Sequence, residues 1–596
     1  MSNISLCMIV KNEEKYIEQC LSSVSSIVNE IIIVDTGSTD NTLKLASRFN
    51  PKIFEYPWDS DFGSARNHSL EQATGDWILV LDADEAIYSE DVKKLMDIIE
   101  TTKANIIALK FHNFTDENSE ENYNTHMGIR IFKNHCFRYE GTIHEQLIPL
   151  NEKVLHKPHL TDVRVRHYGY LKSNAGQKKR DRNMPIIQKL LDKNPDDSFQ
   201  LFNMGNEYMS DGDYEKALYY FQKSYANKNI SLAYCPHLIF RIAACFHYLK
   251  RNEEGIKIID EGLKIYPKCT DYEYFKGRMY KSLKRYSLAI DSFNKCISMG
   301  ASPANLSFLG DVEEFRAYVD LGNIYFLQDD FAKSLSFYLK AIKAKSNHYE
   351  LIYKIGEVLN KMFSDKDKVL ENIKSLFANG SYITNLLVMV DVLLNERLYK
   401  QAEECFEKIQ SKEKYDDDIN YLRGRVLFYK KEYKAAFDEF IKVISADNER
   451  SLLPETKIKA FEYLVICSMV CKQKGSQECE GELIKPFVET LKSNEEKQII
   501  LYFLDKSTVT FENSSKATIY QILSEILQVS EFELFEKNLE VLNSINSNEV
   551  LLDLAEVYYK NGFKELALKN ILRSIKELDV INANAVNMLN KEFLLP

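Results

Sequence analysis

Residues 75–85 read GDWILVLDADE, and this stretch predicts a buried strand that ends in a cluster of acidic side chains. The apolar run 77–81 is uninterrupted, which is typical of a strand covered on both faces of a sheet. Gly75 and Asp76 mark the turn into the strand. Asp82 and Asp84 follow at its carboxyl end, where parallel sheets open the crevices that bind ligands.

Toward the N-terminus, short apolar runs alternate with amphipathic segments in the same way. Strands are predicted over residues 4–10, 30–35, 52–56 and 77–81, and helices over residues 14–28, 39–49 and 62–73. This alternation predicts a parallel sheet whose strands are joined by right-handed helical crossovers. The first part of the chain is therefore expected to be an α/β domain.

From about residue 198 the pattern becomes helical and repeats. Residues 201–221 (LFNMGNEYMSDGDYEKALYYF) and 318–338 (YVDLGNIYFLQDDFAKSLSFY) align closely, with small residues twelve apart, such as Gly205 and Ala217. This pattern resembles the tetratricopeptide repeat, so an all-α solenoid is expected over residues 199–578. Residues 363–393 and 452–547 fit poorly and are interpreted as degenerate helical pairs. The predicted domains are 1–190, 198–380 and 381–596.

Composition narrows the class of protein. The formal net charge of −11 argues against a general nucleic-acid binder, which usually carries a basic face. The eleven cysteines are scattered without a CxxC pair, which argues against a zinc ribbon and fits a reducing cytoplasm. The sequence shows neither a signal peptide nor an apolar run long enough to cross a membrane. We therefore expect a cytoplasmic protein.

The strand ends supply the residues suited to chemistry. Asp35 ends the second predicted strand and opens DTGSTD, where it is placed to accept hydrogen bonds from ribose hydroxyls or a base N–H. Asp82 and Asp84 direct two carboxylates into one small volume, and a hard divalent cation would relieve their repulsion. Arg66, one turn after an acid-rich loop, is suited to a phosphate or to orienting a carboxylate.

Four motifs in order carry a resemblance to a known family. They are SLCMIVKNE (5–13), IVDTGSTD (33–40), FGSARN (62–67) and GDWILVLDADE (75–85). Together they resemble the family 2 glycosyltransferases over about residues 1–190. The resemblance implies a GT-A fold with a Rossmann-like mixed sheet, a UDP-sugar donor, Mn²⁺ or Mg²⁺ and inversion at the anomeric carbon. The expected donor is UDP-GlcNAc or UDP-Glc.

The same resemblance implies site residues. The implied nucleotide and donor set is Val10, Asn12, Glu13, Asp35, Arg66, Asp82, Ala83, Lys179 and Arg182. Asp35 would hold the uridine, while Asp82 and Asp84 would serve the donor and the metal. His167 is a candidate metal ligand or diphosphate contact beside Asp84. Lys179 and Arg182 would steady the leaving diphosphate, or else belong to a basic helix that merely precedes the solenoid.

Inverting transfer also needs one general base to take the proton of the acceptor. Residues 130–145 resemble the R-x-F … G-x-(I/V)-H-E segment of a family 2 subgroup that often carries tetratricopeptide repeats. Glu145 is the predicted base, with Glu140 as the reserve. The usual base of the family lies in a short acidic motif after DxD, whereas this chain has His144-Glu145.

Three hypotheses remain for the acceptor. The first is a protein or peptide, held by the repeats and modified on a Ser or Thr hydroxyl or a Cys thiol. The family resemblance includes enzymes that modify flagellin or secreted peptides. The second is a cell-envelope glycan or lipid-linked glycan. The third is a non-catalytic repeat scaffold, against which the intact Asp35, Arg66, Asp82 and Asp84 argue.

Overall fold

The structure is a computed structural model of the 596-residue chain. It describes residues 2–114, 123–151, 154, 157–169, 175–227, 232, 234–345, 349–377, 382–409, 416–446, 452–453, 456–476, 479–491, 493–505, 511 and 516–593. The chain divides into two compact units, Met1–Ser346 and Asn347–Pro596. The domain bounds given above rest on sequence pattern and stay a prediction.

The first unit begins with a mixed sheet. Its strands are β1 (Ile4–Val10), β2 (Glu30–Asp35), β3 (Lys52–Glu55), β4 (Trp77–Val80), β5 (Glu85–Ile87), β6 (Ile106–Phe114), β7 (Tyr123–Lys133) and β10 (His159–His167). They lie in the order β3-β2-β1-β4-β7-β6-β10-β5. The pairs β1–β2, β1–β4 and β2–β3 are parallel, as predicted, whereas β7 runs antiparallel to β4 and β6. Strands β8 (Phe137–Glu140) and β9 (Gln146–Pro149) form a separate hairpin.

Four helices cover this sheet: α1 (Ile17–Val24), α2 (Thr42–Ala46), α3 (Phe62–Glu71) and α4 (Val92–Thr101). The apolar faces of α1 and α4 pack on the sheet, and Leu21, Leu79 and Leu95 are almost wholly buried there. Glu30, at the start of β2, accepts hydrogen bonds from Ser5 Oγ at 2.6 Å and Thr74 N at 2.6 Å. Glu30 thereby links the N-terminal ends of β1 and β2 to the turn that precedes β4.

The rest of the first unit is helical. Its helices are α5 (Ala175–Lys193), α6 (Ser198–Ser210), α7 (Tyr214–Ala226), α8 (Cys235–Tyr248), α9 (Asn252–Ile265), α10 (Thr270–Ser282), α11 (Tyr286–Met299), α12 (Phe315–Leu327) and α13 (Phe331–Ala344). The predicted close approach of paired helices is present. A Cβ on Gly205 would stand 2.5 Å from the ring of Phe221, and one on Gly277 would stand 2.7 Å from Phe293. Each glycine therefore makes room for an aromatic ring sixteen residues later.

The second unit is helical throughout its described part. Its helices are α14 (Tyr349–Met362), α15 (Lys366–Ser375), α16 (Tyr382–Asn395), α17 (Tyr399–Phe406), α18 (Asp416–Tyr429), α19 (Tyr433–Ser445), α20 (Thr456–Gln473), α21 (Lys485–Val488), α22 (Asn494–Asp505), α23 (Lys516–Gln528), α24 (Phe532–Asn538), α25 (Val550–Lys560), α26 (Lys564–Arg573) and α27 (Ala583–Phe593). Tyr353 donates a hydrogen bond of 2.6 Å to Asp391, which also pairs with the buried Arg425. Three helices of neighbouring pairs meet in this network. Within the described ranges, every helix is too short or too polar to cross a lipid bilayer.

The α/β sheet followed by helical repeats confirms the predicted fold class. Two predicted helices begin later than expected. Helix α1 starts at Ile17 because the Glu13 carbonyl first closes a turn with Tyr16. Helix α2 starts at Thr42 because Asp40 accepts the Thr42 N–H at 2.9 Å.

Candidate active site

The carboxyl ends of β2, β1 and β4 lie side by side, as the strand register requires. Val10 is paired with Asp35 across β1 and β2, and Ala83 follows the end of β4. The Asp35 carboxylate is buried, and both of its oxygens lie 3.1 Å from the Ser38 amide N–H. That bond holds the DTGSTD turn and fixes the carboxylate at the sheet edge. Neighbouring strands are about 4.8 Å apart, so Asp35 and the DxD loop are separated by roughly 10 Å.

The loops after β1 and β2 bind each other. Asn12 accepts the Thr39 N–H at 2.7 Å and donates its own N–H to Ser38 Oγ at 3.1 Å. Glu13 donates its N–H to Thr42 Oγ1 at 2.7 Å. Asn12 has a φ of 56°, a left-handed conformation that asparagine tolerates well. The predicted donor residues of these two loops are therefore held in one arrangement before any ligand arrives.

Five alternating charges run through the centre of the site. Glu85 is almost fully buried and pairs through both oxygens with Arg130, at 2.6 and 2.8 Å. Arg130 lies 3.5 Å from Asp82, which binds Arg66 at 2.8 Å. The Nε of Arg66 in turn binds Glu145 at 2.5 Å. Three carboxylates and two guanidinium groups are therefore linked by consecutive ion pairs, and we call this row of side chains the charged chain.

The ion pairs among these five side chains determine the pKa values of the carboxyl groups. Partial burial alone would raise the pKa of Asp82, but Arg66 and Arg130 outweigh it and hold that pKa well below its usual range. Burial raises the pKa of Glu85, although Arg130 opposes the rise. Asp82 is therefore a carboxylate at neutral pH whose charge is already compensated by protein groups.

Arg66 binds two carboxylates through Nε and Nη2, and its other terminal nitrogen is Nη1. Arg66 Nη1 is buried and finds no hydrogen-bond partner among the described residues. A buried guanidinium N–H without a partner is costly, and an anionic oxygen of a ligand would satisfy it. The predicted contact of Arg66 with the nucleotide stays a prediction, and Nη1 is the nitrogen that would make it.

The FGSARN motif docks α3 against the β8–β9 hairpin. Its contacts are Phe62 N–H to the Thr142 carbonyl (2.9 Å), Asn67 Oδ1 from the Tyr139 N–H (2.8 Å) and Asn67 Nδ2 to the Tyr139 carbonyl (2.9 Å). A Cβ on Gly63 would stand 2.6 Å from the Gly141 carbonyl oxygen, so only glycine allows this approach. The motif therefore fixes the distance between Arg66 and Glu145, which lie 79 residues apart in the chain.

Asp84 and His167 face each other at the other side of the acidic loop. Asp84 Oδ2 lies 3.8 Å from His167 Nε2, and both side chains are mostly buried. A backbone hydrogen bond of 3.0 Å from Tyr168 to the Asp84 carbonyl fastens the two loops. Tyr168 is stacked between Tyr16 and Phe114, each with ring centroids 5.5 Å away.

Gly169 keeps the space beside this pair open. A Cβ at residue 169 would stand 2.6 Å from Asp84 Oδ2 and 2.7 Å from His167 Nε2. A carboxylate oxygen and an imidazole nitrogen are suitable ligands for Mn²⁺, and the carboxylate suits Mg²⁺ as well. Within the described ranges no group of three or more His, Cys, Asp or Glu side chains is arranged to hold a metal ion. Asp84 and His167 thus fit a cation that takes its remaining ligands from elsewhere.

The basic residues of α5 lie on a different element. Arg182 stacks over the ring of Phe62 at 4.8 Å, and its Nε donates to Asn183 at 3.1 Å. Phe62 is the first residue of α3, so Arg182 lies at the N-terminus of the helix that carries Arg66. Lys179 belongs to α5, and its side chain lies outside the described part of the chain.

The two candidate bases differ in their surroundings. The Glu145 side chain is 13% exposed and belongs to the charged chain, whereas that of Glu140 is 50% exposed and pairs with Arg138. Ile143, two residues before Glu145, is buried in a cluster with Ile187 and Leu191 of α5 and two residues of α6, Leu201 and Met204. Helix α5 and the first repeat helix, α6, therefore support the loop that carries Glu145.

Four residues of this site were not predicted as site residues. Arg130 and Glu85 were part of quoted motifs, and the R-x-F pattern was the signal that could have singled out Arg130. Asn113 and His126 gave no sequence signal, because single polar residues in strands are common. The structure connects both to His167, since Asn113 Oδ1 lies 2.7 Å from His167 Nδ1.

A separate cavity of about 510 Å³ lies between the sheet and the segment before α12. Its wall includes His126 and Met127 of β7, Leu160 of β10, and Leu309 and Arg316. None of the predicted donor, metal or base residues lines it. The cavity is therefore distinct from the cluster around Asp82.

Comparison with known proteins agrees with both parts of the chain. The family model described as glycosyl transferase family 2 matches residues 5–156, and the tetratricopeptide repeat model matches residues 274–299 and 315–348. A tetratricopeptide repeat-containing protein of Synechococcus elongatus is 32% identical over 36% of this chain and 55% of its own length. The prophage-derived glycosyltransferase SunS of Bacillus subtilis is 29% identical over 50% of this chain and 69% of its own length.

A glycosyltransferase of Rickettsia felis is 38% identical over 17% of this chain and 34% of its own length. The chain spans about half the length of the Synechococcus relative. The matched segment 5–156 includes the whole charged chain from Glu85 to Glu145. Residues 5–156 thus match the family 2 glycosyltransferases, and segments that match the tetratricopeptide repeat follow within residues 274–348.

Proposed function

We propose that this protein is a metal-dependent, inverting glycosyltransferase that moves a sugar from a UDP-sugar to a Ser or Thr hydroxyl or a Cys thiol of a protein or peptide. The observation that carries the proposal is the Asp84–His167 pair beside Gly169, which adjoins a charged chain ending in Glu145. The similarity to glycosyltransferase SunS supports the transferase class.

The donor site is proposed at the ends of β2, β1 and β4. Asp35 offers a fixed, buried carboxylate for the uridine, and the loop of Asn12 and Glu13 is fastened against it. The separation of roughly 10 Å between Asp35 and the DxD loop suits a nucleotide that lies across the sheet edge. Because these loops are already held by hydrogen bonds, little ordering is needed on binding.

Asp84 and His167 are the residues that would hold Mn²⁺ or Mg²⁺. The cation would supply charge neutralisation for the diphosphate of the donor. Arg66 Nη1, which lacks a partner among the described residues, would donate to an anionic oxygen of the same ligand. Asp82 is already compensated by Arg66 and Arg130, so we assign it to orienting Arg66.

Glu145 is proposed as the general base. In an inverting step the bond from the acceptor oxygen or sulfur to the anomeric carbon forms as the bond to the diphosphate oxygen breaks. The acceptor proton would pass to the Glu145 carboxylate, and UDP would leave as the anion. Arg66 fixes the orientation of Glu145, whereas Glu140 is half exposed and held by Arg138.

The repeats are proposed to hold the acceptor. Ile143 is packed against α5 and α6, so the loop of the proposed base adjoins the start of the repeats. Solenoids of this kind use extended concave surfaces to bind partner chains. A protein or peptide is long enough to contact such a surface along its length, and for this reason we prefer it to a glycan as the acceptor.

The test begins with donor hydrolysis by the full chain across a panel of UDP-sugars, with Mn²⁺, with Mg²⁺ and with EDTA. We expect metal-dependent turnover of one donor, and transfer to a peptide acceptor identified by mass spectrometry. Glu145→Gln should keep donor binding and lower transfer by about 10²–10⁴-fold. Glu140→Gln is the matched control and should transfer normally. Absence of both nucleotide binding and turnover in the wild type would refute the proposal.

A further inference from the structure

A hydrogen-bonded row of three side chains lies behind the proposed cation ligand His167. His167 Nδ1 is 2.7 Å from Asn113 Oδ1, and Asn113 Nδ2 is 2.8 Å from His126 Nδ1. The three residues belong to the adjacent strands β10, β6 and β7. His167 and Asn113 are direct partners in the register of β10 and β6. His126 is opposite Phe111 in the register of β7 and β6, so the row crosses the three strands with a diagonal step between Asn113 and His126.

The amide of Asn113 gives this row a direction. Its Oδ1 can only accept and its Nδ2 can only donate a hydrogen bond. Since Nδ2 donates to His126, His126 Nδ1 acts as the acceptor. Since Oδ1 accepts from His167, His167 Nδ1 carries the proton, and the neutral ring has its lone pair on Nε2. Nε2 is the atom that faces Asp84 Oδ2 at 3.8 Å.

The far end of the row is fixed by packing. The His126 ring stacks on Phe111 with centroids 4.7 Å apart and an interplanar angle of 21°. Gly128 leaves room for the Phe111 ring, because a Cβ there would stand 2.6 Å from it. Asn113 is buried, with 7% of its surface exposed. The amide therefore has a fixed neighbour at each end, and turning it over would reverse both hydrogen bonds.

We infer that Asn113 and His126 are positioning residues that hold His167 in the tautomer and orientation needed to bind a divalent cation together with Asp84. The inference rests on the proposed metal site and adds how this chain prepares it. Histidine ligands of metals generally donate their other ring N–H to an oxygen acceptor, and loss of that acceptor weakens metal binding. Here an asparagine supplies the acceptor and a second histidine orients the asparagine.

The experiment measures Mn²⁺ binding to the full chain by electron paramagnetic resonance in the presence of UDP. Asn113→Leu should weaken Mn²⁺ binding about 10–100-fold, because it removes the acceptor. Asn113→Asp keeps an acceptor oxygen and should restore most of the affinity. UDP binding in EDTA should stay unchanged in both variants. Wild-type Mn²⁺ affinity in Asn113→Leu would overturn the inference.

Two further variants keep the result interpretable. Tyr88→Phe is the matched control, because it removes a similar hydrogen bond of 3.2 Å to His112 on the same strand and should bind Mn²⁺ normally. His126→Phe keeps the ring on Phe111 but removes its hydrogen bond to Asn113, and it replaces Asn113→Leu if that variant fails to fold. We expect weaker Mn²⁺ binding in His126→Phe, and unchanged binding would count against the inference.

The inference and the proposed function fail in different ways. Donor turnover in EDTA at the full rate would overturn the metal site, the metal dependence and the inference, and would leave the proposed sugar transfer itself standing. Mn²⁺ binding that depends on Asn113, in a protein that turns over no UDP-sugar, would support the inference and refute the function.

Discussion

Gly169 lies two residues after the end of β10, and the consequence of adding one methyl group there can be worked out from the structure. The new Cβ would stand 2.6 Å from Asp84 Oδ2 and 2.7 Å from His167 Nε2, whereas ordinary contact begins at 3.4 Å. Each side chain would therefore have to move by about 0.7–0.8 Å. Metal–ligand distances tolerate about 0.2 Å, so both groups could no longer share one ion.

We expect Gly169→Ala to weaken Mn²⁺ binding at least 10-fold, and by up to about 100-fold, as the loss of a supporting contact usually does. Electron paramagnetic resonance of Mn²⁺ in the presence of UDP measures this directly. UDP binding in EDTA should be unchanged, because Asp35 and the loop of Asn12 lie on other strands. Asp84→Ala should show a loss at least as large.

The control substitution is Gly481→Ala, where the nearest atom to the new Cβ is a leucine methyl group 3.0 Å away in the second unit. It should bind Mn²⁺ as the wild type does. If Gly169→Ala also bound Mn²⁺ with wild-type affinity, the reasoning that Asp84 and His167 hold one cation would be refuted.

Two predictions concern stability. Arg66→Met should destabilise the protein by about 2–3 kcal/mol, because it removes the guanidinium that pairs with both Glu145 and Asp82. The partial exposure of Asp82 and its second partner Arg130, 3.5 Å away, reduce the usual cost of breaking a buried pair. Urea unfolding measures this, and Glu145→Gln in the same chain should recover part of the loss; additive effects would show that the two side chains do not interact. Burial alone would raise the pKa of Glu30, but hydrogen bonds from Lys52, Ser5 and Thr74 lower it from 4.5 to about 2. The carboxylate therefore stabilises the fold above pH 4.5 by up to about 3 kcal/mol, and this is lost as the pH falls toward 2. Glu30→Gln should flatten that acid-dependent loss in urea midpoints, and an unaltered pH profile would contradict the assignment.

The first four strands of the sheet were predictable because each is a short apolar run that ends at a polar turn. The paired glycines of the repeats were equally visible, and Gly205 and Gly277 are buried beneath aromatic rings as close helix packing requires. The antiparallel strands β6 and β7 were not predicted. In their register Ile106 is paired with Phe132. This pairing depends on contacts between residues distant in sequence, which the local hydrophobic period does not predict.

The site shows the same division. Asp35, Asp82 and Asp84 were visible because motifs at strand ends carry them. The partners that decide their chemistry are distant in sequence, since Arg66 reaches Glu145 across 79 residues and Arg130 reaches Glu85 across 45. Side-chain pairs at such separations arise from the packing of the whole sheet. A single sequence has no local pattern that indicates them.

The cluster of Ile143 with Ile187, Leu191, Leu201 and Met204 has a consequence for local unfolding. Fluctuations that open α6 remove the apolar support of the loop of Glu145, so that loop and the first repeat helix open as one cooperative unit. The residues before and after the change of sequence pattern near residue 198 therefore do not unfold independently. Substitutions on the inner face of the first repeat are therefore expected to act on the loop of Glu145 through its population of open states.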